Sequence, residues 1–350
     1  MDVSSSKRHM VALYPIWLTL VLGFIGAGLA PFLHLPVPAL LGSGILISIL
    51  AFTRLPLAMP VLMRNIGFTI LGCSMGSSIT PEMLALVGRW PASLLGLTLT
   101  VIAMMLASTW LLSRHFGHTP STALLASTPG ALSAVVAMAM DGKGDVRAVV
   151  VLQSLRLLLV MAFLPVIIYG LGMQGTVDTG QAAALTLPWH TVPALLLTAF
   201  AIAQMLDKIH VPAAYVMTGL LLSGAGHVGG WLHGGLPSIA ITTGFVIIGC
   251  VVGVRFRGIR LAELRQFSVA ALVSVILSTV IAAIGAACVS WGMNLPFGQV
   301  WIAYAPGGIE AMAALALALH YDPAYIAAHH LARIIGINLL MPWVVRWVKG

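Results

Sequence analysis

The chain has 350 residues, of which 60% are hydrophobic and only 7% charged. Soluble domains carry about 25% charged residues, so this composition, with a mean hydropathy of +1.04, describes a polytopic all-α membrane protein and leaves no stretch long enough for a soluble catalytic or DNA-binding domain. The formal charge of +8 comes from Lys and Arg scattered in ones and twos through short loops, a pattern that reads as a topology signal and not as a nucleic-acid surface.

The first apolar segment, from about Tyr14 to Phe32, is too long for a signal-peptide core and has no convincing cleavage site, so it is expected to remain as a membrane anchor. Further apolar segments follow near 37–53, 63–79, 90–113, 119–140 and 147–170. The stretch "GFTILGCSMG" at 67–76 then returns as "GFVIIGCVVG" at 244–253, a shift of 177 residues. The same ungapped shift carries Gly42 onto Gly219, Pro129-Gly130 onto Pro306-Gly307, Asp145 onto Asp322, Arg156 onto Arg333 and Pro165 onto Pro342. The chain therefore reads as two copies of one six-segment unit, 11–170 and 188–347, joined by a polar linker at 171–187. Gly72 with Gly76, and Gly249 with Gly253, stand at helical spacing and read as close-packing faces. Cys73, Cys250 and Cys288 all lie in apolar segments and read as small buried hydrophobes, with no disulfide framework or thiol metal site.

The fifth segment of each unit carries "ASTPGALSA" or its copy "AYAPGGIEA". Proline and glycine are costly inside a continuous helix, so this segment either spans with a kink or enters, turns at Pro-Gly and leaves on the same side. The basic residues arbitrate. If all six segments span, seven Lys and Arg fall on the cytoplasmic side and eight outside, which is no bias. If the fifth segment is re-entrant, each unit spans five times, the second unit is inverted, and fourteen basic residues fall inside with only Arg89 outside. The expected fold is thus two inverted repeats of five spanning helices, each with a re-entrant Pro-Gly hairpin, in the bacterial inner membrane with both termini cytoplasmic.

Broken helices near the midplane of an inverted repeat are where secondary transporters bind substrate. After Pro129-Gly130 and Pro306-Gly307-Gly308 the second arm of each hairpin would present free N–H groups, which suit an anion. Arg156 and Arg333 fall about nine residues into the sixth segments, and an arginine at that depth is a candidate substrate site or, alternatively, a structural group paired with a helix C-terminus or a carboxylate. Glu310 stands two residues past Gly308, where the first copy has Ser133, and is a candidate ion-pair partner, proton site or cation holder. His330, three residues before Arg333, is a candidate proton relay or an interhelical hydrogen-bonding group; its first-copy counterpart is Gln153. Asp145 and Asp322 are placed to cap the sixth helices. His227 and His233 lack the companions a metal site needs, and neither a metal nor another cofactor is expected. The expected partners are the bilayer and a small, anionic solute, with no nucleic acid; self-association is left open.

The duplicated unit, with "TPGALSAVVAMAMDGKGDVRAVVVLQSLRLLLV" and "APGGIEAMAALALALHYDPAYIAAHHLARIIGINLLMP" in order, resembles the AbrB family of bacterial inner-membrane proteins over nearly the whole chain. The resemblance implies a membrane protein linked to expression of the gene aidB; many members carry the label "putative ammonia monooxygenase", and the family is distinct from the small soluble DNA-binding regulator of the same name. Direct DNA binding would need a basic recognition element outside the membrane, and a copper monooxygenase a cluster of histidines, whereas the eleven here are dispersed. The first expectation is a secondary transporter or solute sensor that affects gene expression indirectly. The second is a membrane regulator acting through a protein partner without transport, and the monooxygenase comes third.

Overall fold

In hydrocarbon every backbone polar group must find its partner within the protein, so an apolar chain of this length folds as helices. The computed structural model describes residues 3–79, 88, 90–130, 132–173, 175 and 186–348, with the side chains of 3–12, 132–134, 143, 310 and 341–348 outside the description. Among the described residues there are fourteen α-helices and no strand. They are α1 (Val3–Leu29), α2 (Pro38–Leu50), α3 (Val61–Gly76), α4 (Trp90–Phe116), α5 (Pro120–Ser127), α6 (Leu132–Met138) and α7 (Val146–Gly170). The series continues with α8 (Thr191–Lys208), α9 (Ala214–Val228), α10 (Ser238–Val254), α11 (Leu261–Met293), α12 (Phe297–Tyr304), α13 (Ile309–Ala318) and α14 (Pro323–Val348). The first residues of α5, α6 and α7 stand 177 positions before those of α12, α13 and α14.

Helix pairings recur with the halves exchanged. α2 packs on α10 as α3 packs on α9, α1 on α10 as α8 on α3, and α7 on α11 as α14 on α4. Glycine makes the tightest of these approaches: a Cβ on Gly72 would stand 2.4 Å from the Val216 carbonyl, one on Gly76 2.6 Å from the Leu220 carbonyl, and one on Gly249 2.6 Å from the Leu40 carbonyl. Cys73 and Cys250 are buried in these helices, whereas Cys288 is exposed on α11, contrary to the expectation for all three. The reason is its position: α11 is an outer helix, and an apolar environment lets a thiol face outward without penalty.

Among the described residues five helical stretches are long and apolar enough to cross a membrane: Leu13–Leu33, Trp90–Phe116, Val146–Gly170, Thr191–Lys208 and Leu261–Met293, an arrangement compatible with a multi-pass membrane protein. α2, α3, α9 and α10 are shorter than the five spans expected in each unit; the 13 residues of α2 cover about 20 Å of a core about 30 Å thick. These four supply much of the buried centre, whereas the non-helical chain at the ends of α2 and α9 is largely exposed, as at Phe52, Leu55 and Trp231.

Two sets of loops gather at the two ends of α7. Near its start, the Asp145 amide donates to Thr122 Oγ1 at 2.9 Å, Arg147 pairs with Glu263, Arg257 donates to the Leu57 carbonyl at 2.6 Å, and His118 stacks on Phe267. Beyond its last turn, Gly175 donates to the Leu319 carbonyl at 2.9 Å, and a Cβ on Gly298 would meet the Tyr321 ring and the Met173 carbonyl. The α5–α6 pair thus begins and ends beside the start of α7, and the α12–α13 pair begins and ends beside the residues that follow α7.

Candidate functional site

Each of these pairs is a helix interrupted in its middle. α5 stops at Ser127, the chain turns through Thr128 to Gly130, and α6 begins at Leu132. Gly130 adopts φ +85°, a left-handed conformation that favours glycine. α12 stops at Tyr304, and α13 begins after Gly308. A helix end leaves up to four carbonyls without partners, and at this depth each orphan costs several kcal/mol. Something must answer them.

In the first half, Arg156 and Gln153 do so. Arg156 donates through Nη1 to the Ala126 carbonyl and through Nη2 to the Thr128 carbonyl, both at 3.0 Å. Gln153 Nε2 donates to the Leu125 carbonyl at 2.9 Å and more loosely to Thr128 at 3.3 Å, while its Oε1 accepts from Arg156. Both side chains are buried. No carboxylate pairs with Arg156 among the described residues; its charge faces the negative end of the α5 dipole, a favourable arrangement.

The second half repeats the device with a change. Arg333 donates through Nη1 to the Ala305 carbonyl at 2.6 Å and through Nη2 to the Gly307 carbonyl at 2.5 Å. His330 takes the place of Gln153 and reaches Ile302, the counterpart of Leu125; a carbonyl only accepts, so Nε2 carries the proton of this 3.0 Å bond. His330 Nδ1 is buried with no hydrogen-bond partner among the described residues.

The two breaks meet. A Cβ on Gly130 would lie 3.4 Å from Arg333 Nη2 and 3.4 Å from Ile334. Pro129, Gly130, Arg156, Pro306, Gly307, Gly308, His330 and Arg333 therefore line or brace these two adjoining turns, with Pro129 and residues 306–308 buried. Glu310 lies on the first turn of α13 with its side chain outside the described residues, as is that of Ser133. Asp145 and Asp322 stand apart from the breaks, just before α7 and α14. Asp145 Oδ1 accepts from the amides of Arg147 and Ala148, and Asp322 Oδ1 from those of Ala324 and Tyr325, which caps α7 and α14. His227 binds backbone carbonyls of Ser223 and Gly234, and no group of three potential metal ligands occurs among the described residues.

An apolar groove of about 370 Å³ between α4, α5 and α14 reaches Arg333 past Leu97, Val101 and Ile337. The matching groove along α7, α11 and α12, about 590 Å³, does not reach Arg156. The second break is thus the more approachable from the side. Beside it lies a cluster that the sequence alone does not reveal. Ser93 Oγ lies 2.6 Å from His329 Nε2, His329 Nδ1 donates to the Tyr325 carbonyl at 2.7 Å, and the Tyr304 hydroxyl donates to the Ser93 carbonyl. The Tyr325 and His329 rings lie with centroids 3.9 Å apart, tilted by 32°. The first half has Leu152 and Ala148 where the second has His329 and Tyr325.

A family model described as "Transition state regulatory protein AbrB" matches residues 40–349. This chain belongs to the AbrB family. Both breaks lie within the matched span. Two relatives align over most of their length: "Putative regulator AbrB" of Escherichia coli (strain K12) is 28% identical over 345 residues, 95% of this chain and 94% of that protein. "Uncharacterized protein YhjN" of Bacillus subtilis (strain 168) is 24% identical over 301 residues, 79% of this chain and 76% of that protein. The AbrB relative carries a regulator's name.

Proposed function

We propose that this AbrB-family protein is a secondary transporter or solute sensor of the bacterial inner membrane, with its site at the two adjoining breaks. The observation that carries this reading is the contact of Gly130 with Arg333, which brings the turn of one half against the arginine of the other. A continuous helix would give a stronger scaffold, so two buried breaks in register call for a use. The start of α13 leaves N–H groups free to bind an anion. Arg156 and Arg333 hold the turns open through their carbonyl bonds and supply positive potential there, and Glu310 or His330 is the group proposed to handle a proton. The regulatory role in the relative's name would, for this chain, follow indirectly from flux or solute sensing.

The inverted topology belongs to the same proposal. The bond from Asp145 to Thr122 favours a hairpin that returns to its own side, since a spanning fifth segment would set these residues on opposite surfaces. The contacts of Arg257 with Leu57 and of His118 with Phe267 likewise favour one basic, cytoplasmic end. Single cysteines at 141–147 and 257–265, in a background lacking Cys73, Cys250 and Cys288, should react only from the cytoplasm; periplasmic labelling at both sites sinks the inverted arrangement. For function, a thermal-shift screen of small anionic metabolites on purified protein should return a hit that is lost in His330→Ala and Gly130→Val. A reproducible effect on expression with neither ligand nor flux would instead favour a regulator that works through a protein partner.

A further inference from the structure

A second candidate site lies away from the breaks, at the end of the molecule where α7 begins. Here the loop between α10 and α11 faces the first turn of α7 across a cleft of about 390 Å³. Its walls bring together Arg147, Arg255, Arg257 and Glu263 over a floor that includes Val151 and Ile259. Three guanidiniums and one carboxylate line the cleft, and only Arg147 pairs with Glu263.

The hydrogen bonds say which of these groups are committed. Arg257 is anchored through Nη1 to the Leu57 carbonyl, which fixes the loop and leaves the rest of its fork facing outward. Glu263 Oε2 accepts from the Arg260 amide at 3.2 Å and so stays at the start of α11. Its Oε1 holds Arg147 Nε at 3.0 Å, a pair in which the Arg147 side chain is 63% exposed and therefore easily redirected. Arg255 is half-buried and makes no hydrogen bond or ion pair among the described residues.

We propose that this cleft binds a phosphate-bearing anion, gripped by Arg255 and Arg257 with Arg147 swung across from Glu263. Like charges converging on a low-dielectric wall focus the field and concentrate anions, and the planar guanidinium fork matches phosphate oxygens bidentately. The repeated fold does not require the cluster: one copy away, the positions of Arg147, Arg255, Arg257 and Glu263 hold Ala324, Ser78, Thr80 and Leu86. A topology signal needs only a count of basic residues on one side, not their convergence on one cavity. The site is a link between the halves, because one wall is α7 of the first half and the other is the α10–α11 loop of the second. Arg156 lies nine residues further along α7 from Arg147, about 14 Å away, so an occupied cleft would set the position of the helix that braces the first break.

Phosphate oxygens can come from a free phosphate compound or from a lipid headgroup, and two arms separate them. With full-length protein in neutral detergent, at ionic strength matched with sodium chloride, inorganic pyrophosphate should raise Tm saturably. The apparent affinity should fall about 10-fold in Arg255→Gln and remain unchanged in Arg265→Gln, whose arginine lies outside the cleft. In the second arm the protein is placed in nanodiscs of phosphatidylcholine with or without phosphatidylglycerol. A stabilisation by phosphatidylglycerol that depends on Arg255 assigns the site to lipid, and a pyrophosphate response without it assigns the site to a free phosphate compound. Should Arg255→Gln not fold, Arg147→Gln serves the same comparison from the exposed wall. No response to either probe beyond chloride, or equal responses in the cleft variant and in Arg265→Gln, overturns the proposal.

Discussion

The two breaks solve one problem with different side chains. In the first, a glutamine and an arginine bond to each other and to the carbonyls of Leu125, Ala126 and Thr128, with Arg156 Nε and Ser127 Oγ buried and unbonded among the described residues. In the second, the arginine is kept but the glutamine becomes His330, which uses one ring nitrogen on Ile302 and leaves the other buried and unbonded among the described residues. The two places keep the arginine and differ in the side chain beside it. What separates the two is the titratable ring of His330 in place of the Gln153 amide, beside a groove that reaches Arg333 from the side.

That contrast can be broken in three ways. Arg156→Ala should have the largest effect, since it strands the buried carbonyl of Ala126 and leaves that of Thr128 with only the looser Gln153 donor, at about 1–3 kcal/mol for each lost charged hydrogen bond. Unfolding followed in detergent should show a loss of about 3–5 kcal/mol, and unchanged stability would mean that the arginine does not brace the turn. Next comes the interhelical face. Gly72→Val puts methyl groups against the Val216 carbonyl, where even a Cβ would stand 2.4 Å away, while Gly28→Ala meets nothing within 4 Å. A cost of about 1–3 kcal/mol is expected for the first and a neutral result for the second, both read from Tm. The smallest effect on stability, below about 1 kcal/mol, is expected for His330→Gln, which gives the second break the residue of the first. If the second break carries the chemistry, this variant should keep its Tm and lose the response to any solute that stabilises the parent; loss of fold together with response would make His330 a brace like Gln153.

Much of this was legible in the sequence because the repeat is ungapped. A single shift of 177 residues aligned Pro129 with Pro306 and Arg156 with Arg333, and the Pro-Gly pairs marked where both helices break. The capping aspartates followed from local chemistry alone. What the arginines face was not legible, since the same buried arginine can bind a solute or a helix end, and only distances to Ala126 and Ala305 tell them apart. The Ser93–His329 bond joins residues 236 positions apart, and a repeat relates equivalent positions without saying which unlike ones touch. The convergence of Arg147 on the 255–263 segment was hidden for the same reason.

The exchanged packing of α2 on α10 and α3 on α9 has a consequence for origin. Each unit buries its glycine face against the other unit, so neither carries a complete interior of its own. A single unit expressed alone would expose that face, and the surface that fits it is the one on a second copy of itself. On this view carrying both units in one chain makes one molecule of what chemistry would otherwise assemble as a pair of identical chains, and leaves the two copies free to differ at residues such as Gln153 and His330.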